Sequence, residues 1–273
     1  MILPFTLAHP AAVLPFLRQP FVPIALVAGA MAPDIPYFAM VSSTSNAWYA
    51  PILNGANSHD FAQILTVGLP LALVMSGFLW LVAQPLRWAT PDAWVPAKTK
   101  LKGRKPSSAR IALWIFYSLM LGLVTHIAWD AFTHSHGWVV QQLPFLGAEP
   151  ISGFPVYRIL QHLSSLAGLV VMLLWYIKRV KAEPVATEIK RTRGTVLRAT
   201  LVGTLLLVPA LASAGIGASG ELAANAEPTA ESLLWIVTTR GGAALIVAMA
   251  AYSLVWQGVA LAKKLRSMSR SRA

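Results

Sequence analysis

Residues 110–138 read RIALWIFYSLMLGLVTHIAWDAFTHSHGW. From Arg110 to Trp129 the run is apolar and has the ~20-residue length that a helix needs to cross a bilayer. Its far end turns polar, with three of the six histidines and one of the four aspartates of the chain. On a helix His126, Asp130 and His134 stand at i, i+4 and i+8, so their side chains stack along one face. Zinc and similar divalent ions take imidazole nitrogen and carboxylate oxygen, and two ligands one helical turn apart are a common grip. The plain alternative is a polar helix end emerging into water, with His134 and His136 merely solvated.

Composition extends this single span to a bundle. The chain has 273 residues, 56% hydrophobic and only 12% charged, where soluble domains carry about a quarter charged residues. Five runs are long enough to span: Phe61 to Ala83, Arg110 to Trp129, Ile159 to Ile177, Val196 to Ile216 and Leu233 to Leu261. The expected fold is all-α, a polytopic helical membrane protein with about five spanning helices and an N-terminal interfacial or re-entrant helical segment. The fifth run exceeds the minimum and is free to tilt or to extend past the bilayer. Absence of cysteine excludes disulfides, thiolate zinc sites and thiol catalysis. The first basic residue is Arg18, so no cationic region precedes an apolar core and a cleaved signal peptide is not expected, although Ala28-Gly29-Ala30 has the small residues of a cleavage site.

A net charge of +12 suggests nucleic acid, but its distribution argues for a membrane. Nineteen of the 22 Lys and Arg lie in Arg87 to Arg110, Lys178 to Arg198 and Lys263 to Arg272, which are alternate connections. That is the positive-inside pattern, and such loops also meet anionic lipid. The expected partners are therefore membrane lipids and not nucleic acid. The expected location is a cytoplasmic membrane, with the C-terminus cytoplasmic and Met1 to Asp60, Asp130 to Arg158 and Ala218 to Glu231 outside. Every histidine then falls on the outer side: His9 and His59 in the N-terminal segment, His126 near the end of span two, His134 and His136 in the loop, His162 at the start of span three. Bringing such separated positions to one level is what a site requires.

The first sixty residues are broken by Pro4, Pro10, Pro15, Pro20, Pro23, Pro33 and Pro36, and Phe21 to Ala32 is too short to span. Short helices in the outer interface are expected, resting on protein because lipid cannot satisfy their backbone ends. Asp34 is either a site residue or the cap of a short helix. Ser42 to Asn57 reads as a loop, Lys98 to Arg110 and Lys178 to Arg193 as flexible cytoplasmic loops, and the tryptophans near span ends as interfacial anchors. Gly203 and Gly215 to Gly220 give span four small faces for close packing. No internal repeat, phosphate loop, dinucleotide fingerprint or nucleophile elbow is present.

Several pieces carry a resemblance. Pro4-Phe5-Thr6 through His9-Pro10-Ala11-Ala12-Val13-Leu14-Pro15, Gly29-Ala30-Met31-Ala32-Pro33-Asp34, His126 with Asp130-Ala131-Phe132-Thr133-His134 and Gly137-Trp138, and Pro155-Val156-Tyr157-Arg158 through Leu160-Gln161-His162 together resemble a bacterial membrane family known as domain of unknown function 4184. The recognisable motifs cover about Met1 to Ile177, which divides the chain into a core over 1–177, a basic loop over 178–198, a two-helix hairpin over 199–262 and a basic tail over 263–273. More distantly, the order of the histidines and aspartates resembles membrane-bound metal-dependent hydrolases and the zinc-dependent phospholipase C and single-strand nuclease fold. That likeness implies His9, Asp34, His59, His126, Asp130, His134 and His162 as metal ligands, with His136 outside the pattern and able to replace His134. It departs at Leu166, where the soluble phospholipases carry a glutamate one turn after the last histidine, and nothing supports their use of the amino terminus as a ligand. One or two ions, zinc first, are the expectation.

Such a site would acidify water and, with a metal pair, hold both oxygens of a phosphoryl centre. Asp34 and Asp130 are alternative general bases. Arg158, one turn before His162, either grips a substrate phosphate or anchors span three in the headgroups. The leading expectation is a metal-dependent hydrolase of phosphoesters, lipid-linked by fold-level analogy alone. The alternative is a non-catalytic protein whose His/Asp cluster is structural or senses metal or protons. A transporter would want ionisable groups near the midplane, and the spans carry almost none.

Overall fold

The computed structural model describes residues 6–39, 47–91, 94–95, 107–181, 193–225 and 227–270. Among these, every regular element is helical, apart from one isolated bridge between Ile151 and Phe154. The α-helices are α1 (Pro23–Met31), α2 (Ile35–Ala39), α3 (Gly55–Ser58), α4 (Leu69–Ala89), α5 (Ser108–Thr133), α6 (Trp138–Gln142), α7 (Pro144–Gly147), α8 (Val156–Lys181), α9 (Arg193–Ala224) and α10 (Ala230–Arg270). Five helical segments are long and apolar enough to cross a membrane: Phe61–Ala89, Ser108–Gln142, Val156–Lys181, Val196–Ala224 and Ala230–Ser269. Their outward faces are covered with exposed leucine and valine, among them Leu163, Leu166, Leu173, Leu211 and Val255, as helices solvated by lipid require. Most of the two basic stretches expected to be flexible loops, 96–106 and 182–192, lies outside the described residues.

Contacts divide the chain into two compact units. The first comprises Ile2–Ser76 and Lys98–Lys181, and α5 is its axis. This helix begins on Ser107, whose hydroxyl accepts the Arg110 N–H at 3.3 Å, and runs for 26 residues. Across it lies α1, nine residues long and so about 13 Å, too short to span. The two backbones touch at a pair of glycines: a Cβ at Gly29 would approach the Leu119 carbonyl oxygen to 2.3 Å, and one at Gly122 the Leu26 oxygen to 2.4 Å. Glycine at both positions is what lets the helices meet this closely. Leu26, Leu119, Leu123 and Val13 are fully buried around the crossing. The N–H of Val22, at the exposed start of α1, donates to Ser118 Oγ on α5 at 2.9 Å, so a backbone group that lipid could not satisfy is satisfied by protein. The expectation that the proline-broken N-terminal helices rest on protein holds here.

A 3-10 stretch, His9–Phe16, precedes α1 and packs against α8, where Gly168 leaves room for Ala8. Helix α8 is tied to α5 by Trp129, whose indole N–H donates to Ser164 Oγ at 3.1 Å. On the other side Ser58 Oγ donates to the Pro33 carbonyl at 2.6 Å and fastens α3 to the short turn that carries Asp34. These fastenings bring four separated pieces of sequence to the C-terminal end of α5.

The second unit comprises Gly77–Ala97 and Ala182–Ala273. In it α9 and α10 form a hairpin in which Gly217 accepts the side chains of Ile236 and Arg240, while Gly241 meets Ala210 and Ala214. Gly203, Gly215 and Gly220 have nothing within 4 Å of a built Cβ, so only Gly217 of the small residues expected to pack does so. Helix α10 is 41 residues, about 60 Å at 1.5 Å per residue, and overruns a ~30 Å hydrocarbon core into its basic end.

Candidate metal centre

The centre is assembled around two imidazoles whose tautomers are fixed by backbone carbonyls. His126 lies fully buried on α5 and its Nδ1 is 2.8 Å from the Ala30 oxygen, which the glycine crossing carries to this point. His59, just after α3, places Nδ1 2.7 Å from the Gly55 oxygen. A carbonyl only accepts, so each Nδ1 carries the proton and each Nε2 presents a lone pair. The two Nε2 atoms face each other at 3.2 Å. Asp130 Oδ2 is 3.2 Å from both, and Asp34 Oδ1 is 3.4 Å from His59 Nε2 and 3.7 Å from His126 Nε2.

Four acceptors therefore converge with no donor among them. Such an arrangement is repulsive unless positive charge occupies the middle. Ligands on a tetrahedral ion with bonds of ~2.0–2.1 Å lie about 3.3–3.4 Å apart, and the five distances above scatter around that edge. Two carboxylates also neutralise one divalent ion, which removes the chief penalty for burying it. The donor set fits zinc or a similar ion.

A surrounding layer holds the ligands in place. Asp130 Oδ1, the oxygen turned from the centre, contacts His9 Nε2 at 3.1 Å and His134 Nδ1 at 3.3 Å. The His9 ring stacks on His126 with centroids 3.9 Å apart. Its Nδ1 and the second oxygen of Asp34 are buried with no hydrogen-bond partner, and His9, Asp34 and His126 form a second triple whose ligand atoms lie within 4.8 Å of one another. Tyr37 lies over Gly55, where a Cβ would meet the phenol ring at 2.4 Å, and its ring centroid is 5.6 Å from that of His59.

The electrostatics outside the spans agree. Burial opposes ionisation of Asp34, yet His126, His59 and His9 outweigh it and hold the carboxyl down at about 2. Burial likewise opposes charge on His59, and the carboxylates of Asp130 and Asp34 outweigh it, raising the imidazole to about 10. Tyr37 is pushed up, first by burial and then by the same two carboxylates. Without an ion, a proton on His59 supplies the positive charge that the centre demands.

The structure thus brings together His9, Asp34, His59, His126 and Asp130 from positions up to 121 residues apart. Asp34 caps no helix: it lies in the turn Ala32–Asp34, whose N-cap is Met31. His134 reaches Asp130 but belongs to neither metal-competent triple, and His162, half-buried on α8, belongs to neither. His136 is exposed, with Nδ1 3.1 Å from Ser135 Oγ, so of the two loop histidines His134 is the one at the site. Arg158 is half-buried in the first turn of α8. Helix α8 brings Gln161 to the site, its amide nitrogen 3.0 Å from His134 Nε2. Sequence reading passed over Gln161, although its spacing to Ser165 and Gly168 marks the buried face of the helix.

A family model described as Domain of unknown function (DUF4184) matches residues 3–254, beyond the quoted motifs and into the fifth span. No curated protein and no solved structure matches the chain.

Proposed function

The chain belongs to the family of domain of unknown function 4184, whose description carries no activity, and from the site itself we propose a membrane-embedded metal-dependent hydrolase of phosphoesters. The observation that carries this reading is the convergence of His59 Nε2, His126 Nε2, Asp130 Oδ2 and Asp34 Oδ1 without a donor between them. These four would hold one ion; the triple of His9, Asp34 and His126 draws on the same single lone pair of His126 and is an alternative grip on that ion. Zinc bound by histidine and carboxylate is typical of catalytic centres, whereas structural sites are commonly rich in thiolate, which this chain lacks. Exposure is graded as well: the His126 side chain is 0% exposed and that of His59 19%, so the cluster has an open side at His59.

A bound divalent ion would supply Lewis-acid charge and acidify water there. The chain's own groups do the rest. Asp130 has one oxygen engaged by His9 and His134 and the other turned to the centre, which leaves Asp34 Oδ2 as the carboxylate oxygen available to take a proton from water. Tyr37, kept protonated, is a donor beside His59. Arg158 is the candidate grip for a substrate phosphate. The charge distribution supports an extracytoplasmic position for this end of α5, and a site at that level suits a lipid with a phosphorylated head.

The test is turnover in mixed micelles of purified, zinc-loaded protein with phosphomonoester and phosphodiester lipids. Release of water-soluble phosphorylated product is expected, abolished by chelation and lowered about 100-fold or more by Asp130→Asn. Stoichiometric metal with no turnover on either lipid class would return the site to a structural or sensing role.

A further inference from the structure

We infer that Gln161 is a positioning residue that keeps His134 off the metal and makes it a clamp on Asp130. This rests on the metal-centre reading above and assigns α8 its part in it.

Three contacts fix the His134 proton. The Gln161 amide nitrogen, which can only donate, is 3.0 Å from His134 Nε2, so Nε2 accepts and the ring proton is on Nδ1. Thr133 Oγ1 spends its own hydrogen on the Trp129 carbonyl at 3.1 Å and is left as an acceptor 3.1 Å from that same Nδ1. Asp130 Oδ1, acceptor only, lies 3.3 Å from it. The protonated Nδ1 therefore donates to Asp130 Oδ1 and Thr133 Oγ1 and has no lone pair for an ion. With His9 Nε2 donating to the same oxygen at 3.1 Å, Asp130 is held by two imidazoles on one side and can turn only Oδ2 to the centre. The Gln161 side chain is 8% exposed, so water does not compete freely for the contact.

Replacing the amide by a pure acceptor adds a proton to the ring. In Gln161→Glu the new carboxylate accepts from His134 Nε2 while Asp130 Oδ1 still accepts from Nδ1, so the ring is held as an imidazolium, stays off the ion and keeps its clamp on Asp130. In Gln161→Leu the donor is simply lost, and Asp130 loses orientation.

The probe is Co(II), whose d–d bands weaken in intensity as coordination number rises, with affinity read by competition with a chelator. Wild-type protein is expected to give an intense four-coordinate spectrum. Gln161→Leu should keep that spectrum and bind about 10–100-fold more weakly, the usual cost of losing support behind a ligand. Gln161→Glu should instead keep both the four-coordinate spectrum and, within about tenfold, the wild-type affinity, because the clamp on Asp130 is retained. Should Gln161→Glu fail to fold, His134→Gln separates the roles: it should weaken cobalt binding by no more than about 100-fold, while His126→Gln abolishes it. Gln161→Glu weakening binding as much as Gln161→Leu, Gln161→Leu binding as the wild type does, or His134→Gln abolishing binding as His126→Gln does, overturns the inference and leaves the metal centre standing. Wild-type protein that takes up no cobalt overturns both.

Discussion

At the residue scale the centre is a contest between a proton and a metal ion for the same lone pairs. His59 is raised from 6.5 to about 10, so its contribution to the ion-free fold is fully present below pH 6.5 and is lost as pH rises through about 10. Asp34 is lowered from 3.8 to about 2, so its contribution is present above pH 3.8 and is lost as pH falls toward 2. Between roughly pH 4 and 6.5 both contributions to the ion-free fold are present. A metal must displace the His59 proton, and below pH 10 its affinity should rise by up to about tenfold per pH unit for the one proton released. Thermal unfolding in detergent with and without zinc checks this: the gap between the two midpoints should widen from pH 6 to 9. A constant gap would mean that no proton leaves His59. His9, Asp34, His59, His126 and Asp130 stood out in the sequence through the order of histidines and aspartates that the hydrolase likeness carries. The carbonyls of Ala30 and Gly55, which fix the tautomers, did not, since every residue carries a carbonyl and only the fold selects these two. Along α8 the sequence drew attention to His162, and Gln161 beside it, whose amide reaches His134, carried no comparable signal.

At the scale of elements, the crossing of α1 and α5 sets the site. Gly29 and Gly122 bring the Ala30 carbonyl to His126, and either backbone leaves no room for even one methyl group. Gly122→Ala is expected to force the helices apart, cost ~1–3 kcal/mol and lower zinc affinity before the helices melt. Gly77→Ala, on α4 with nothing within 4 Å, is the control and should leave zinc binding unchanged. Thermal stability beside zinc titration separates the cases, and equal zinc binding by both variants would detach the crossing from the centre. The existence of the spans was legible because a bilayer imposes a length on apolar runs. Their ends were less so: the first span passes Pro85 and runs to Ala89 in α4, since a proline inside a spanning helix is tolerated where neighbouring groups re-satisfy the freed backbone. Tyr252 ties this stretch to α10, its hydroxyl donating to the Pro85 oxygen at 3.2 Å. The N-terminal prolines do mark short helices, and it took coordinates to reveal that these helices are packed on α5 at glycines 93 residues apart in sequence.

At the scale of the whole molecule, the described residues hold five helices long and apolar enough to span a membrane, and residues near both ends of the first 134 positions meet at one end of α5. Long-range convergence of this kind is invisible to periodicity, which reports only neighbours along one helix. It was legible solely as an order of histidines and aspartates, and the hydrolase chemistry attached to that order is the part still to be earned by assay. The most direct measurement is the zinc content of purified wild-type protein beside Asp34→Asn, a nearly isosteric change 92 residues from His126. We expect about one equivalent or more in the wild type after desalting, and less than about one tenth in the variant, because a carboxylate is lost from the ion's own shell. Equal zinc in both, or less than about one tenth of an equivalent in the wild type, would contradict the convergence of these residues on a single ion.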